Sequence, residues 1–255
     1  MKAQILSMIL RICLHLYLLS HTCIGVYRYV FADKILKNKL TQITDEKIVQ
    51  FAKASCQKVI AHDINLYTGD ARAFGLPQNG YFAAAVGKNN IIIAPDYYTI
   101  IETYINDESK ERRETVLNIF EFLLHHEASH LKNNDVRNRL LMHVGTYSIK
   151  ALLLEASILV ISSTPISQLV TFTLLNIFDT FVKSIFHMGQ EFLADGSAIG
   201  QRAIQGGKQF FTNLDNIRKG NQIEHLAMKK DLNHPSPARR LKAMQEAFPT
   251  ESTAN

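Results

Sequence analysis

Two histidines lie four residues apart inside a strongly apolar stretch, and a glutamate, Glu127, follows the first of them. The stretch Thr115–Lys132 is rich in Leu, Ile, Phe and Val, which predicts a buried helix. Positions i and i+4 share one face of a helix, so His126 and His130 would project together. Burying polar groups without partners is costly, and a shared metal ion would remove that cost. The alternative is that both are ordinary core or surface histidines.

The spacing of this motif suits zinc. Two imidazoles on one helix face can bind one ion, and Glu127 lies close enough to take a proton from a water that zinc activates. A catalytic zinc site needs a third protein ligand, and His143 has the wrong spacing for one. Glu191 offers a carboxylate from another helix, and Asp195, one turn later, would hold the outer nitrogen of a liganding histidine. The alternative is that Glu191 and Asp195 form a solvated acidic pair.

The remaining pattern predicts a mainly α (α+β) fold with one small sheet. We predict that Gly206-Gly207 breaks the chain between two helices. The predicted helices cover Thr41–Ile60, Thr115–Lys132, Val136–Ser162, Ile166–Ile204 and Lys208–Lys219, and a last helix starts with Ser236 as N-cap and Pro237 in its first turn. The predicted strands are Ile64–Tyr67 and a hairpin formed by Tyr81–Val86 and Ile91–Ala94.

Three blocks of the sequence, in this order, resemble the HtpX-type membrane metallopeptidases, the group that also contains the CAAX prenyl endopeptidases and the Oma-type mitochondrial protease. Residues 126–135 are similar to the H-E-x-x-H-x-x-N-x-D pattern of that group. Residues 191–195 are similar to its E-[YF]-x-A-D pattern, and residues 234–240 to its H-P-x-x-x-x-R pattern. The resemblance covers roughly Ala71 to Phe248. The group's N-A-F-A block is not intact in this chain. Residues 71–75 are the segment most similar to it.

The resemblance implies a zincin-like helical metallopeptidase domain of the gluzincin type that binds one Zn2+ per chain. It implies that Glu191 is the third ligand beside the two histidines and that Glu127 is the general base. His234 would lie near the scissile carbonyl and help to stabilise the oxyanion, and Arg240 would anchor or polarise the site. An edge strand of the predicted hairpin would receive a protein or peptide substrate as an added strand.

Residues 1–32 form an apolar segment that precedes the predicted peptidase domain, 33–255. Residues 12–27 carry no Asp, Glu, Lys or Arg, but His15 and His21 interrupt them, and a full span needs about 20 apolar residues. A cleaved signal peptide, an uncleaved membrane anchor and an amphipathic or buried helix all remain open. We expect the protein to be membrane-associated or exported, with the side of the membrane undetermined.

A second apolar region, about 139–187, is expected as a helical hairpin inserted into the peptidase domain. Leu140–Ser163 carries Lys150 and Glu155, while Pro165–Phe186 carries Asp179 and Lys183. Charges in the middle of a helix are costly in lipid. A buried or amphipathic hairpin is therefore slightly favoured over two membrane spans.

Composition excludes some other functions. The net charge is +5, and the Arg pairs at 112–113 and 239–240 are isolated, so we expect no nucleic-acid binding. The three cysteines form no CxxC pair, which argues against a disulfide framework and a thiolate zinc site. Two alternatives to a peptidase remain. One is a catalytically degenerate peptidase fold that acts as a binding or chaperone-like protein, and the other is a structural membrane protein.

Overall fold

The computed structural model describes residues 2–76, 81–160, 164–220 and 235–249. The chain divides into two compact units. The helical unit contains Met1–Phe31 and Arg137–Phe186, and the sheet unit contains Ala32–Val136 and His187–Asn255. The predicted fold class is confirmed, since the chain is mainly helical with one small sheet.

In the part of the sheet unit that the structure describes, four strands form a sheet in the order β1-β2-β4-β3. They are β1 (Thr41–Gln42), β2 (Asn65–Thr68), β3 (Ala83–Val86) and β4 (Asn90–Ile93). Strand β4 is central and buried along its length, as its run of three isoleucines predicts. It pairs in parallel with β2 and antiparallel with β3, so the predicted hairpin is confirmed and β3 lies at an edge of the sheet.

Helices α2 (Ala32–Lys39), α3 (Glu46–Cys56) and α4 (Pro95–Ile105) belong to the same unit. The predicted helix Thr41–Ile60 is too long at both ends. Its first two residues pair antiparallel with β2, and the helix begins only after Asp45, whose side chain accepts a hydrogen bond from the Ile48 amide (2.9 Å). The sheet ladder therefore takes residues that the sequence pattern assigned to the helix.

Two further helices, α5 (Lys110–Lys132) and α8 (Gln201–Gly220), pack closely against each other. The prediction that Gly206-Gly207 breaks the chain is wrong, because both glycines lie inside α8. A Cβ at Gly206 would lie 1.9 Å from the carbonyl oxygen of Asn118 in α5, and one at Gly207 would lie 2.7 Å from Phe122. The two glycines allow α8 to pack closely against α5 and do not form a turn. Only a residue without a side chain fits at these two positions.

Replacing Gly206 with alanine is expected to destabilise the chain by about 3 kcal/mol or more, because the new methyl group would collide with backbone atoms. Gly189 is a matched control, since it is helical and a methyl group added there would meet no neighbouring atom within 4 Å beyond its own helical turn. There, alanine should stabilise by up to about 1 kcal/mol. Thermal unfolding of the two variants measures the difference, and equal melting temperatures would contradict the close contact.

The remaining helices are α6 (Asp135–Val160), α7 (Pro165–Asp195) and α9 (Pro237–Ala247). The predicted helical stretch Ile166–Ile204 is helical over most of its length but is interrupted, since α7 ends at Asp195 and α8 begins at Gln201. Between them, Gly200 takes a positive φ of 85°, a left-handed conformation that glycine adopts at low cost. The predicted start of the last helix is confirmed, because the Ser236 side chain caps α9.

The helical unit consists of α1 (Lys2–Val30) with most of α6 and α7. Its large apolar side chains are mostly exposed, while Gln168, Lys150 and Asp179 are buried. The exposure of these side chains does not fit a buried hairpin, and whether the region is amphipathic or spans a membrane stays a prediction. Within the described ranges, two segments are apolar and long enough to cross a membrane by length and composition alone, Ile5–Val30 and Pro165–Asp195.

Candidate metal centre

Helix α5 carries the first three candidate site residues near its C-terminal end. His126, Glu127 and His130 are all buried on it. The Nε2 atoms of the two histidines lie 3.2 Å apart, and their rings stand nearly perpendicular. The spacing of four residues therefore produces a convergent pair of imidazoles, as the helical period requires.

Glu191 reaches this pair from α7. Its Oε2 lies 3.4 Å from Nε2 of His126, and its Oε1 lies 3.5 Å from Nε2 of His130. Zinc–ligand bonds of about 2.0–2.1 Å at tetrahedral angles separate neighbouring ligand atoms by about 3.3 Å. The three side chains thus offer two nitrogens and one oxygen at the separation that zinc requires. Among the described residues, they form the cluster able to hold a metal ion.

The outer nitrogens of both histidines contact carboxylates. Nδ1 of His126 lies 3.0 Å from Asp195, and Nδ1 of His130 lies 2.7 Å from Asp135. A carboxylate at Nδ1 fixes the ring so that Nε2 is free to bind a metal. Asp195 lies where the sequence placed it. Asp135 was not among the predicted site residues, although the final aspartate of the first motif block marks its position.

The turn after α5 explains how Asp135 reaches His130. Asn134 has a positive φ of 54°, a left-handed conformation that Asn tolerates better than most residues. This turn ends α5 and places Asp135 at the first position of α6. The side chain of Gln190 then donates a hydrogen bond to the other Asp135 oxygen (2.8 Å). Gln190 is another site residue that the sequence did not reveal, since no motif position marks it.

Arg240 projects from α9 and contacts Glu191 and Asp195 of α7. Its guanidinium donates two hydrogen bonds to Asp195 (2.7 and 2.6 Å), and Nη1 lies 3.3 Å from Glu191. The guanidinium also lies 4.5 Å from the ring centre of Phe211, within the range of a cation–π contact. The third motif block is thus tied to the second, and Arg240 holds the two carboxylates in place.

The buried carboxylates of the candidate metal centre create an electrostatic environment that favours positive charge. Burial alone would lower the pKa of His126, but hydrogen bonds to Asp195 and Glu191 raise it to about 10. The pKa of His130 is also raised, since its contact with Asp135 outweighs burial. Burial would raise the pKa of Asp195, but hydrogen bonds from Arg240 and His126 keep it below its usual value. A divalent cation satisfies the same preference for positive charge, which supports the fit to a metal.

The two oxygens of Glu127 face different partners. Oε2 accepts a hydrogen bond from the backbone amide of Ala85 in β3 (2.7 Å), while Oε1 lies 4.0 Å from Nε2 of His126. One oxygen is therefore held by the edge strand and the other faces the ligand atoms. Such an arrangement suits a carboxylate that exchanges a proton with a water at the metal position.

His125, the residue before the motif, makes contacts that hold the surrounding chain segments together. It is fully buried, and its Nδ1 accepts a hydrogen bond from the Ile199 amide (3.1 Å). The Ser197 hydroxyl donates to the carbonyl oxygen of His125 (3.1 Å). These contacts fasten the segment that follows Asp195 to the motif helix.

Six of the seven predicted site residues converge in the sheet unit. They are His126, Glu127, His130, Glu191, Asp195 and Arg240. The seventh, His234, lies outside the described residues, so its position stays a prediction.

Comparison with known proteins supports a family assignment. The family model described as Peptidase family M48 matches residues 110–247, which is just over half of the chain and includes all three motif blocks. No curated protein and no solved structure matches significantly.

Proposed function

The chain belongs to peptidase family M48, and on that premise we propose that it is a zinc-dependent endopeptidase that hydrolyses peptide bonds in protein substrates. Membership of the family makes it a metallopeptidase. The observation that carries the proposal is the convergence of His126, His130 and Glu191 at ligand spacing, with Glu127 beside them.

Zinc held by the two histidines and Glu191 would polarise the substrate carbonyl and lower the pKa of a bound water towards about 7. Glu127 then removes a proton from the attacking water through Oε1. The same carboxylic acid delivers that proton to the departing amine nitrogen, which completes the hydrolysis. Asp195 and Asp135 keep the histidine rings oriented throughout, and Arg240 keeps Asp195 charged.

During the attack, negative charge develops on the oxygen of the substrate carbonyl, and a hydrogen-bond donor is needed to stabilise it. We assign this role to His234, on the resemblance of residues 234–240 to the family pattern. Arg240 comes six residues later in the same block and contacts Asp195 and Glu191 through its guanidinium. Its role in the proposed enzyme is therefore to support the ligands and not to contact substrate.

The edge strand β3 is the proposed substrate platform. Among the described strands it pairs with β4 alone, and the Ala85 amide on its other side reaches Glu127. A peptide that adds antiparallel to this edge would pass next to the metal ligands. Recognition through backbone groups suits unfolded or extended protein segments of varied sequence, as protein quality control or processing requires.

The purified chain is expected to degrade a disordered protein, and a chelator should abolish this activity because Glu127 alone does not activate water sufficiently. Re-addition of one equivalent of zinc should restore the activity, and metal analysis should find one zinc per chain. Cleavage that continues without metal would contradict the proposal. A chain that holds one zinc, binds the disordered protein and does not cleave it would support the binding-protein alternative.

We propose a membrane setting for this activity, with residues 1–32 as an anchor and 33–255 as the peptidase domain that carries the hairpin insertion at about 139–187. Support comes from the helical unit, where large apolar side chains are mostly exposed and charged side chains pair with one another. Arg11 and His15 contact Glu155, and Lys150 and Lys183 contact Asp179. Pairing of this kind lowers the cost of charges in lipid.

The chain is expected to stay with membranes during alkaline carbonate extraction and to be released by detergent, because its exposed apolar helices would bind acyl chains. Mass spectrometry of the mature N-terminus separates an anchor from a signal peptide, since only the signal peptide is removed. Release of intact chain by carbonate alone would argue against membrane insertion.

A further inference from the structure

Backbone geometry shows which way the amides of the edge strand point. Phe82 and Ala94 are opposite each other in the β3–β4 pair, and the Ala94 amide donates to the Phe82 carbonyl (2.9 Å). In an antiparallel ladder, hydrogen-bonded and non-hydrogen-bonded pairs alternate. The pairs at Ala84 and Val86 are therefore hydrogen-bonded to β4, while Ala83 and Ala85 direct their backbone groups to the open edge.

At this open edge the Ala85 amide meets Glu127. The donor–acceptor distance of 2.7 Å is short for an amide, as expected when the acceptor is charged. A carboxylate on a flexible side chain would otherwise sample several rotamers, and this contact selects one. In the selected rotamer, Oε1 faces His126 at 4.0 Å.

We propose that the backbone amide of Ala85 is a positioning group for Glu127, so that the edge strand aims the general base in addition to binding the peptide. The inference rests on the proposed function and goes beyond it. The proposal also implies that the Ala85 amide does not bind the substrate, because it donates its hydrogen bond to Glu127. An added peptide therefore pairs with the remaining outward backbone groups of β3, such as the Ala83 amide.

The enzymatic test compares Ala85→Pro with Ala83→Pro. Proline removes an N–H, and at either position it breaks no hydrogen bond to β4, so it is compatible with an edge strand. Ala85→Pro should lower kcat about ten- to a hundredfold with KM nearly unchanged and one zinc retained. Ala83→Pro should mainly raise KM, because the peptide loses a hydrogen-bond donor. A kcat loss in Ala85→Pro no larger than that in Ala83→Pro would overturn the proposal.

A second measurement does not depend on activity or on the folding of a proline variant. Residue-resolved amide hydrogen exchange is recorded for the full-length chain as purified, with and without Glu127→Ala. The Ala85 amide should exchange at least about tenfold faster in the variant, while the Ala83 amide changes little. Unchanged exchange at Ala85 would overturn the proposal. If the wild-type chain hydrolyses no peptide, the proposed function fails while the exchange result still decides the contact.

Discussion

Replacing Glu127 with glutamine is expected to lower kcat/KM for a disordered protein substrate by about a thousandfold or more. The amide keeps the size of the side chain and an oxygen that can accept from the Ala85 amide, but it cannot take a proton from water. The metal ligands are untouched, so metal analysis should still find one zinc per chain. Initial rates and zinc content, measured on the same preparation, check both parts of this expectation.

Glu114→Gln is the matched control for this substitution. Glu114 lies on the same helix as Glu127, is exposed, and is far from the ligand atoms in sequence and on the helix. Its variant should keep nearly all activity, because isolated surface substitutions rarely change function or stability much. Hydrolysis that survives in Glu127→Gln at the wild-type rate would remove the carboxylate from the mechanism.

Replacing Glu191 with glutamine is expected to weaken zinc binding more than a hundredfold and to abolish hydrolysis at ordinary zinc concentrations. The substitution exchanges a charged oxygen ligand for a neutral amide oxygen, so a divalent cation loses its anionic partner in the ligand cluster. It also leaves Arg240, 3.3 Å away, without one of its two acidic partners. Competition with a chromophoric chelator measures the affinity.

Asp195→Asn distinguishes a ligand from the group that orients it. Asp195 contacts Nδ1 of His126 and not the ligand atoms, so its variant should lose about ten- to a hundredfold in zinc affinity or activity, less than Glu191→Gln. Glu246→Gln on α9 serves as an exposed control of the same chemistry. Wild-type zinc affinity in Glu191→Gln, together with lost binding in Asp195→Asn, would reverse the two assignments.

Much of the metal centre could be predicted from the sequence, because most of its residues lie in short motifs with helical spacing. Helical periodicity alone places His126 and His130 on one face, and the same holds for Glu191 and Asp195. The hairpin was also predictable, since Gly87 lies between two segments of strand-forming residues and takes the positive φ of 64° that the turn requires.

Other elements depended on partners that are distant in the sequence. Gly206-Gly207 has the composition of a chain break, but the backbone of α5 lies so close that only glycine fits within α8. Thr41 and Gln42 have no strong strand signal of their own, and β2 provides the hydrogen bonds that extend them. Exposed apolar side chains on α7 likewise became apparent only once its neighbours in the helical unit were known.

The sequence by itself therefore determined the ligand types, the base and the helices that carry them, because periodicity within one helix needs no information about the rest of the fold. Only the tertiary structure brought α7 to α5 at ligand distance, added Asp135 and Gln190 to the centre, and set Glu127 against the amide of Ala85. These contacts join residues on different elements, and a long-range distance depends on how whole helices and strands pack.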